Sequence, residues 1–268
     1  MYNETIQSKL DQEPSNDFCP IPRQGGNNSF YAQFYEDYIL SIIFSNIKKG
    51  YYIDVGANSP DFDSITDHFY LKGWNGINIE PIKKWYDKYL IERPNDININ
   101  SGVSNFEGKI DFYVLSSDLM SSGNIDFVNK AQEKGYNYEK QVIKVRTLNH
   151  ILEEHLTEPI TFIKIDVEGM EKQILEGLNL SKYRPIILII ESIRPFSHMN
   201  VHNQWESIVL NNNFSFMFFD SLNRYYLANE HLDRLSPNFQ KAIRCYSLAQ
   251  TKYPEYNIKN VFKHELDY

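Results

Sequence analysis

Apolar positions along this chain follow two alternating rhythms. Short, largely β-branched runs predict strands at 51–55 (YYIDV), 76–80 (GINIE), 97–99, 109–115 (KIDFYVL), 141–145 (QVIKV), 160–165 (ITFIKI), 186–190 (IILII), 214–219 and 225–228. Between them, apolar residues spaced three and four apart predict helices. One lies within 30–47, through Phe34, Tyr38, Ile42 and Ile43, and one runs from Asp63 or Ser64 until Gly73 stops it. Others follow Pro81 (through Trp85, Tyr89 and Leu90) and cover 147–156, 168–178 and 205–210. The unbroken run 186–190 suits a parallel strand covered on both faces. Strand alternating with helix predicts an α/β domain, doubly wound around a mostly parallel sheet, behind an N-terminal helical extension.

Three stretches fall outside this rhythm. Residues 1–29 are polar, with Pro14, Pro20, Pro22 and Gly25-Gly26-Asn27-Asn28, and read as a flexible arm. Residues 116–140, rich in Ser, Asn and Gly, read as an excursion over the site rather than core. Residues 236–268 form a C-terminal extension with no assigned role, which leaves 30–235 as the main domain.

Composition narrows the function classes. The 268 residues suit one large domain with extensions, and a 42% apolar fraction supplies a core. A net charge of −8 without a basic run argues against nucleic acid as a partner. The N-terminus lacks the apolar stretch of a secretory signal, and no run is long enough for a transmembrane segment. Cys19 and Cys245 are far apart, make no metal or redox spacing, and by their scarcity fit a reducing compartment. The expectation is a cytoplasmic protein, with homo-oligomerisation left open.

The candidate chemistry begins where the first two strands end. Asp54 precedes the turn at Gly56, and Glu80 closes the second strand 24 residues after that glycine, where a carboxylate can accept both hydroxyls of a ribose. Only the first glycine of the dinucleotide fingerprint is present. Pro60 offers no N–H, and Asp61 would set a negative charge where a pyrophosphate belongs. A ligand with a ribose and no phosphate fits better, and S-adenosylmethionine is such a ligand. The missing glycines argue against a nicotinamide enzyme.

Asp166 and Glu191 end two later strands. With Glu168 and Glu171 they could converge at the rim, where mutual repulsion invites a hard cation such as Mg²⁺ on Asp166 and Glu191 and a carboxylate base beside it. Blander roles stand beside these: Asp166 as a helix cap, Glu168 as a first-turn acid, Glu191 as a strand-end acid paired with Arg194. His68 reads as a surface residue. His198 and His202 follow the fifth core strand, and either could approach an acceptor.

These segments resemble the FkbM-type S-adenosylmethionine-dependent methyltransferases. The likeness runs through AQFYEDYIL, YYIDVGANSPDFDSITDHFYLKGWNGINIEP, SGVSNFEGKIDFY, VIKVRTL, FIKIDVEGMEKQILEG, RPIILIIES and LNRYYLANE, roughly over 30–235. The resemblance implies the seven-stranded Rossmann-like sheet of the class I methyltransferase fold. For the cofactor it implies Asp54, Gly56 and Asn58 at the methionine end, with Asp61, Ser64 and Pro81 in the flanking turns. Glu80 would hold the ribose, Ser101, Gly102 and Val103 would lie near adenine, and Gln33 and Glu36 near the entrance. By analogy with metal-dependent O-methyltransferases it implies Asp166 and Glu191 as Mg²⁺ ligands, Asp166 also touching the cofactor, and Glu168 as base with His198 nearby. Glu191, Arg194, Asn223, Arg224 and Tyr225 would meet the acceptor, although a structural salt bridge explains Arg224 equally well.

The segments further look like a bacterial branch associated with glycan biosynthesis. That implies methylation of a sugar hydroxyl in a surface polysaccharide or its nucleotide- or lipid-linked precursor. A catalytically silent adenosyl-binding scaffold and a methyltransferase for a non-sugar metabolite remain as alternatives.

Overall fold

A computed structural model describes Cys19 and residues 30–115, 120–194, 196, 197 and 199–252. The arm expected over 1–29 lies outside the described residues except for Cys19, and so does His198. The chain opens with α1 (Glu36–Ile43), β1 (Tyr51–Val55), α2 (Asp67–Leu71), β2 (Asn75–Ile79), α3 (Lys83–Glu92) and β3 (Ile97–Ile99). It continues through β4 (Gly102–Ser104), β5 (Gly108–Leu115), β6 (Ser121–Ser122), α4 (Ile125–Glu133), β7 (Tyr138–Thr147) and α5 (Leu148–His155). It closes with β8 (Phe162–Ile165), α6 (Glu171–Glu176), β9 (Ile187–Glu191), α7 (Glu206–Asn211), β10 (Phe214–Phe219), β11 (Asn223–Ala228) and α8 (Leu232–Lys252).

The main sheet has seven strands in the order β10-β11-β9-β8-β1-β2-β3. From β3 to β9 all neighbours are parallel, while β11 runs against both β9 and β10, so the sheet is mixed. Successive side chains of a strand face opposite layers, and β1 shows it. Tyr51, Ile53 and Val55 pack with Leu148, Ile151, Ile174 and Trp205 on one face. Tyr52 faces the other, among Tyr38, Ile39, Phe162, Phe239 and Ala242 of the layer that holds α1 and α8. Every residue of β9 is buried, because both faces are covered.

Three expectations are corrected here. Residues 109–115 and 141–145 do not join the main sheet. β5 and β7 pair antiparallel, Lys109 opposite Lys144 and Phe112 opposite Gln141, inside a separate four-stranded sheet ordered β4-β7-β5-β6. The excursion over 116–140 contains a helix, α4, capped by Asn124, whose side-chain oxygen accepts from the Asp126 N–H at 3.0 Å. Phe127, Val128 and Ala131 of α4 pack on Tyr113 and Leu115, which gives this sheet a small core of its own.

The third correction concerns Cys19 and Cys245. They are joined in a disulfide across 226 residues, with Cα atoms 5.4 Å apart. Distance along the chain was no guide, because α8 returns to the layer that holds α1. The reading of a reducing compartment from their scarcity loses its basis. No helix among the described residues is long and apolar enough to cross a membrane.

Candidate active site

The chain leaves β1 towards β2 on one side, and β8 lies against β1 on the other. Ligands of such sheets bind where the strand order reverses, outside the carboxyl ends. A cavity of about 810 Å³ opens at that point, bordered by Asp54, Glu80, Asp166 and Glu191 from four strand ends. That volume is in the range of about 300–1,000 Å³ typical of ligand sites. The second sheet supplies a further wall through Ile110, Phe112 and Ile143.

The turn after β1 requires glycine. Gly56 has φ +75°, and a Cβ there would lie 1.9 Å from the Asp166 carbonyl oxygen. Gly56 and Ala57 both donate to the Ile79 carbonyl, at 3.1 and 3.2 Å. Glu80 fastens the same region from the next strand. One carboxylate oxygen accepts from the Asn58 N–H at 2.8 Å and the other from the Ile82 N–H at 2.7 Å. Burial pushes Glu80 up to about 7, against the pull of those two N–H groups.

Two residues of α3 and its end hold the loop from outside the cavity. The Tyr89 hydroxyl donates to the Ala57 carbonyl at 3.0 Å. The buried Arg93 guanidinium donates to the Pro60 carbonyl and to Asp67 at 2.9 Å, and stands 3.9 Å from Asp96.

Lys164 is the cation at the centre. It lies in the middle of β8, donates to the Gly56 carbonyl at 2.8 Å, and places Nζ 3.4 Å from both Asp54 Oδ1 and Asp166 Oδ2. Burial opposes its charge, but the carboxylates of Asp54 and Asp166 outweigh burial and hold the ammonium above the usual lysine range. Asp54 is raised by its own burial, offset by Lys164 and by the Thr66 hydroxyl, which donates at 3.2 Å. Asp54 Oδ1 has the Lys164 ion contact and accepts no hydrogen bond, so an acceptor remains at the cavity floor.

Glu191 is buried and pushed well above the usual carboxylate range. Burial is the first cause, followed by the negative charges of Asp166, Glu168 and Glu171 and by a contact with Asp166 that only the acid form can use as a hydrogen bond. Glu191 therefore holds its proton to higher pH than an ordinary carboxylate, while Asp166 is the acid that stands beside Lys164. Glu168 lines the cavity from a turn in which it and Gly169 have φ +54° and +96°. That turn is held by Glu171, not by a cap from Asp166: Glu171 Oε1 accepts from the Gly169 N–H at 3.0 Å.

Of the residues expected in the site, Gln33, Asp54, Gly56, Asn58, Ser64, Glu80, Pro81, Ser101, Gly102, Val103, Asp166, Glu168, Glu191 and Arg194 line the cavity. Five expected residues do not. Glu36 is buried beneath the N-terminal segment, accepting from the Phe34 N–H at 2.9 Å and from the Asn223 amide at 2.8 Å, so Asn223 is also occupied. Asp61 turns outward to Lys88 and Ser59. Tyr225 donates to Asp220 at 2.9 Å. Arg224 makes the structural alternative: it pairs with Glu206 at 2.7 Å and donates to the Tyr226 hydroxyl. All three residues of the β11 hairpin thus point into the protein's own hydrogen-bond networks.

His202 sits between Asn200 and Glu206, away from the cavity, and His68 is not a surface residue but is buried against Phe30. Sequence reasoning missed Lys164, Lys134, Tyr136 and Phe196 in the cavity wall. Lys164 had a signal, a lone cation inside the buried run FIKI. The others lie on irregular segments with none.

The FkbM methyltransferase domain matches residues 54–216, from the end of β1 into β10, well over half of the chain. The chain belongs to the FkbM methyltransferase family. Its matched span holds Asp54, Glu80, Lys164, Asp166, Glu168 and Glu191, the whole floor and rim described above. A crystal structure of methyltransferase FkbM from Methylobacillus flagellatus KT is similar at 14% identity and a TM-score of 0.41. That similarity covers 84% of this chain, which spans 59% of the other. No curated protein matches the chain.

The residues suit an adenosyl cofactor better than a metal. Asp54 Oδ1 faces the Lys164 ammonium and accepts no hydrogen bond, and each Glu80 oxygen accepts one backbone N–H, so both carboxylates keep lone pairs for further donors. Mg²⁺ on Asp166 and Glu191 fits poorly, because the Lys164 ammonium already stands 3.4 Å from Asp166 and would oppose a second cation there. Among the described residues no three His, Cys, Asp or Glu are grouped as metal ligands.

Proposed function

We propose that this FkbM-family methyltransferase uses S-adenosylmethionine to methylate a sugar hydroxyl of a glycan or glycan precursor. One observation carries the reading: Asp54 and Glu80 flank the Gly56 turn at the carboxyl ends of adjacent parallel strands, in a cavity that continues to Asp166, Glu168 and Glu191. S-adenosylmethionine supplies an electrophilic methyl group when bound. Asp54 would accept from its amino group and Glu80 from its ribose hydroxyls, while Ile79, Ile82 and Val103 offer an apolar slot for the base. Asp166 is engaged by Lys164, and Glu168 lines the same cavity, so Glu168 is the group assigned to take the hydroxyl proton as the new bond forms. Phe112, Tyr136 and Phe196 present aromatic faces on which a sugar ring can stack.

Calorimetric titration with S-adenosylhomocysteine tests the cofactor half. Saturable binding is expected in the native protein and not in Asp54→Ala, and its absence in both would sink the methyltransferase reading. For the chemical half, Glu168→Gln should bind the same ligand normally yet lose about 10²–10⁴-fold in kcat on whichever nucleotide- or lipid-linked sugar supports turnover. An unchanged rate would remove Glu168 from the role of base.

A further inference from the structure

Three cations line the cavity, and only one is neutralised. Lys164 is matched by Asp54 and Asp166. Lys134 and Arg194 line the same space, and among the described residues neither makes an ion pair with an acid. In a chain of net charge −8, two unmatched cations at one cavity mouth run against the general balance. They also come from different parts of the fold. Lys134 ends α4, on the second sheet's side, and Arg194 follows β9 of the main sheet.

Phe196, which lines the same cavity, lies close to Arg194 along the chain and to Lys134 in space. It lies two residues beyond Arg194, and its ring stacks on Phe127 at 5.3 Å and meets Tyr136 at 5.6 Å. The Lys134 ammonium stands 5.8 Å above the same ring, within cation–π range. Phe196 holds φ +56°, a left-handed conformation costly for a bulky side chain, and its ring packs on the small core of the second sheet.

We infer that Lys134 and Arg194 form an oxyanion subsite across Phe196, so that the acceptor is a sugar carrying a phosphate ester or a carboxylate. The inference rests on the methyltransferase reading for which hydroxyl is methylated, but the subsite can be tested without turnover. The ammonium gives a point charge and the guanidinium a planar donor pair, a combination that matches tetrahedral or planar oxyanions. Phe112, Tyr136 and Phe196 line the same cavity and offer ring faces for the attached sugar. A neutral glycan would leave both cations without a partner.

The probes are pyrophosphate and glucuronate, titrated by calorimetry into protein first saturated with S-adenosylhomocysteine, so that the cofactor site cannot take the anion. The native protein is expected to bind at least one of them saturably. The double variant Lys134→Ala/Arg194→Ala should weaken that binding about tenfold or more, and the conservative Lys134→Arg should retain it. S-adenosylhomocysteine affinity should be unchanged in all variants, which also reports that they fold. Preference for pyrophosphate would assign a phosphate-bearing acceptor, and preference for glucuronate an acidic sugar. Absence of saturable binding to either probe, or equal binding in the double variant, would overturn the subsite. Failure of S-adenosylhomocysteine to bind the native protein would instead overturn the methyltransferase reading.

Discussion

At the scale of single residues, the protein holds several buried acids, Glu80 and Glu191 of the site among them, that burial keeps protonated to higher pH than usual. Glu80, Glu171 and Asp37 are pushed up to about 7, Asp220 to about 6, and Glu191 well above its ordinary value, burial being the first cause in every case. The sign of the consequence follows from linkage. A folded acid with a raised pKa binds more protons than its unfolded counterpart, so its contribution is fully present below the unfolded pKa and is lost as pH rises through the folded one. The protein should therefore lose stability between about pH 5 and pH 8. Glu191→Gln keeps the shape of the acid and cannot ionise. Urea midpoints should match the native protein near pH 5 and exceed it near pH 8. Equal midpoints at both would show that the Glu191 carboxyl is not raised in the folded protein.

At the scale of elements, the loop after β1 is fixed by side chains of α3 and its end that lie outside the cavity. Arg93 is 2% exposed and its partner Asp67 11% by side chain, so their 2.9 Å pair is effectively buried. Removing one member of such a pair strands the other charge, at a cost of about 3–5 kcal/mol. Arg93→Met should lower the urea midpoint accordingly and weaken S-adenosylhomocysteine binding several-fold, because the Pro60 carbonyl and the Ser64 hydroxyl lose the same donor. Loss of stability with unchanged affinity would separate the staple from the site.

This contact also marks where sequence legibility ended. Strands with continuous apolar runs, such as IILII, were readable because a parallel strand buried on both faces leaves a period-free signature. The helix expected from Asp63 or Ser64 was not: only Asp67–Leu71 is helical, and Ala57, Pro60, Asp61 and Ser64 before it are held by side chains of α3 and of Arg93 at its end. Likewise β5 and β7 alternate well enough to be recognised as strands, but alternation says nothing about which sheet a strand joins. The strand-end acids and Arg194 were legible in the sequence, whereas Lys134 reaches the cavity by a long-range approach that no local pattern encodes.

At the scale of the whole molecule, the two ends of the described chain meet. α8 packs against α1, Asn238 donates to the Ile43 carbonyl at 2.8 Å, and the Cys19–Cys245 disulfide ties the N-terminal segment to the same helix. Cys245 is fully buried in the core layer that includes Tyr38, Ile39 and Phe239, and Cys19 packs against that layer. The residues that follow Cys19 lead to Phe30, Gln33 and Phe34, and the last two line the cavity. Closing a loop of 226 residues restricts the unfolded chain, an effect worth about 2–5 kcal/mol. Breaking the link should thus act on stability and on the cavity entrance together. Under reducing conditions, or in Cys19→Ser, Tm should fall by roughly 5–15 °C. S-adenosylhomocysteine should also bind more weakly, since Gln33 and Phe34 lose the anchor upstream of them. Mass spectrometry of the alkylated native protein should find no free thiol before reduction and two after it. Two free thiols at the outset, with an unchanged Tm on adding reductant, would show that the ends are held by packing alone.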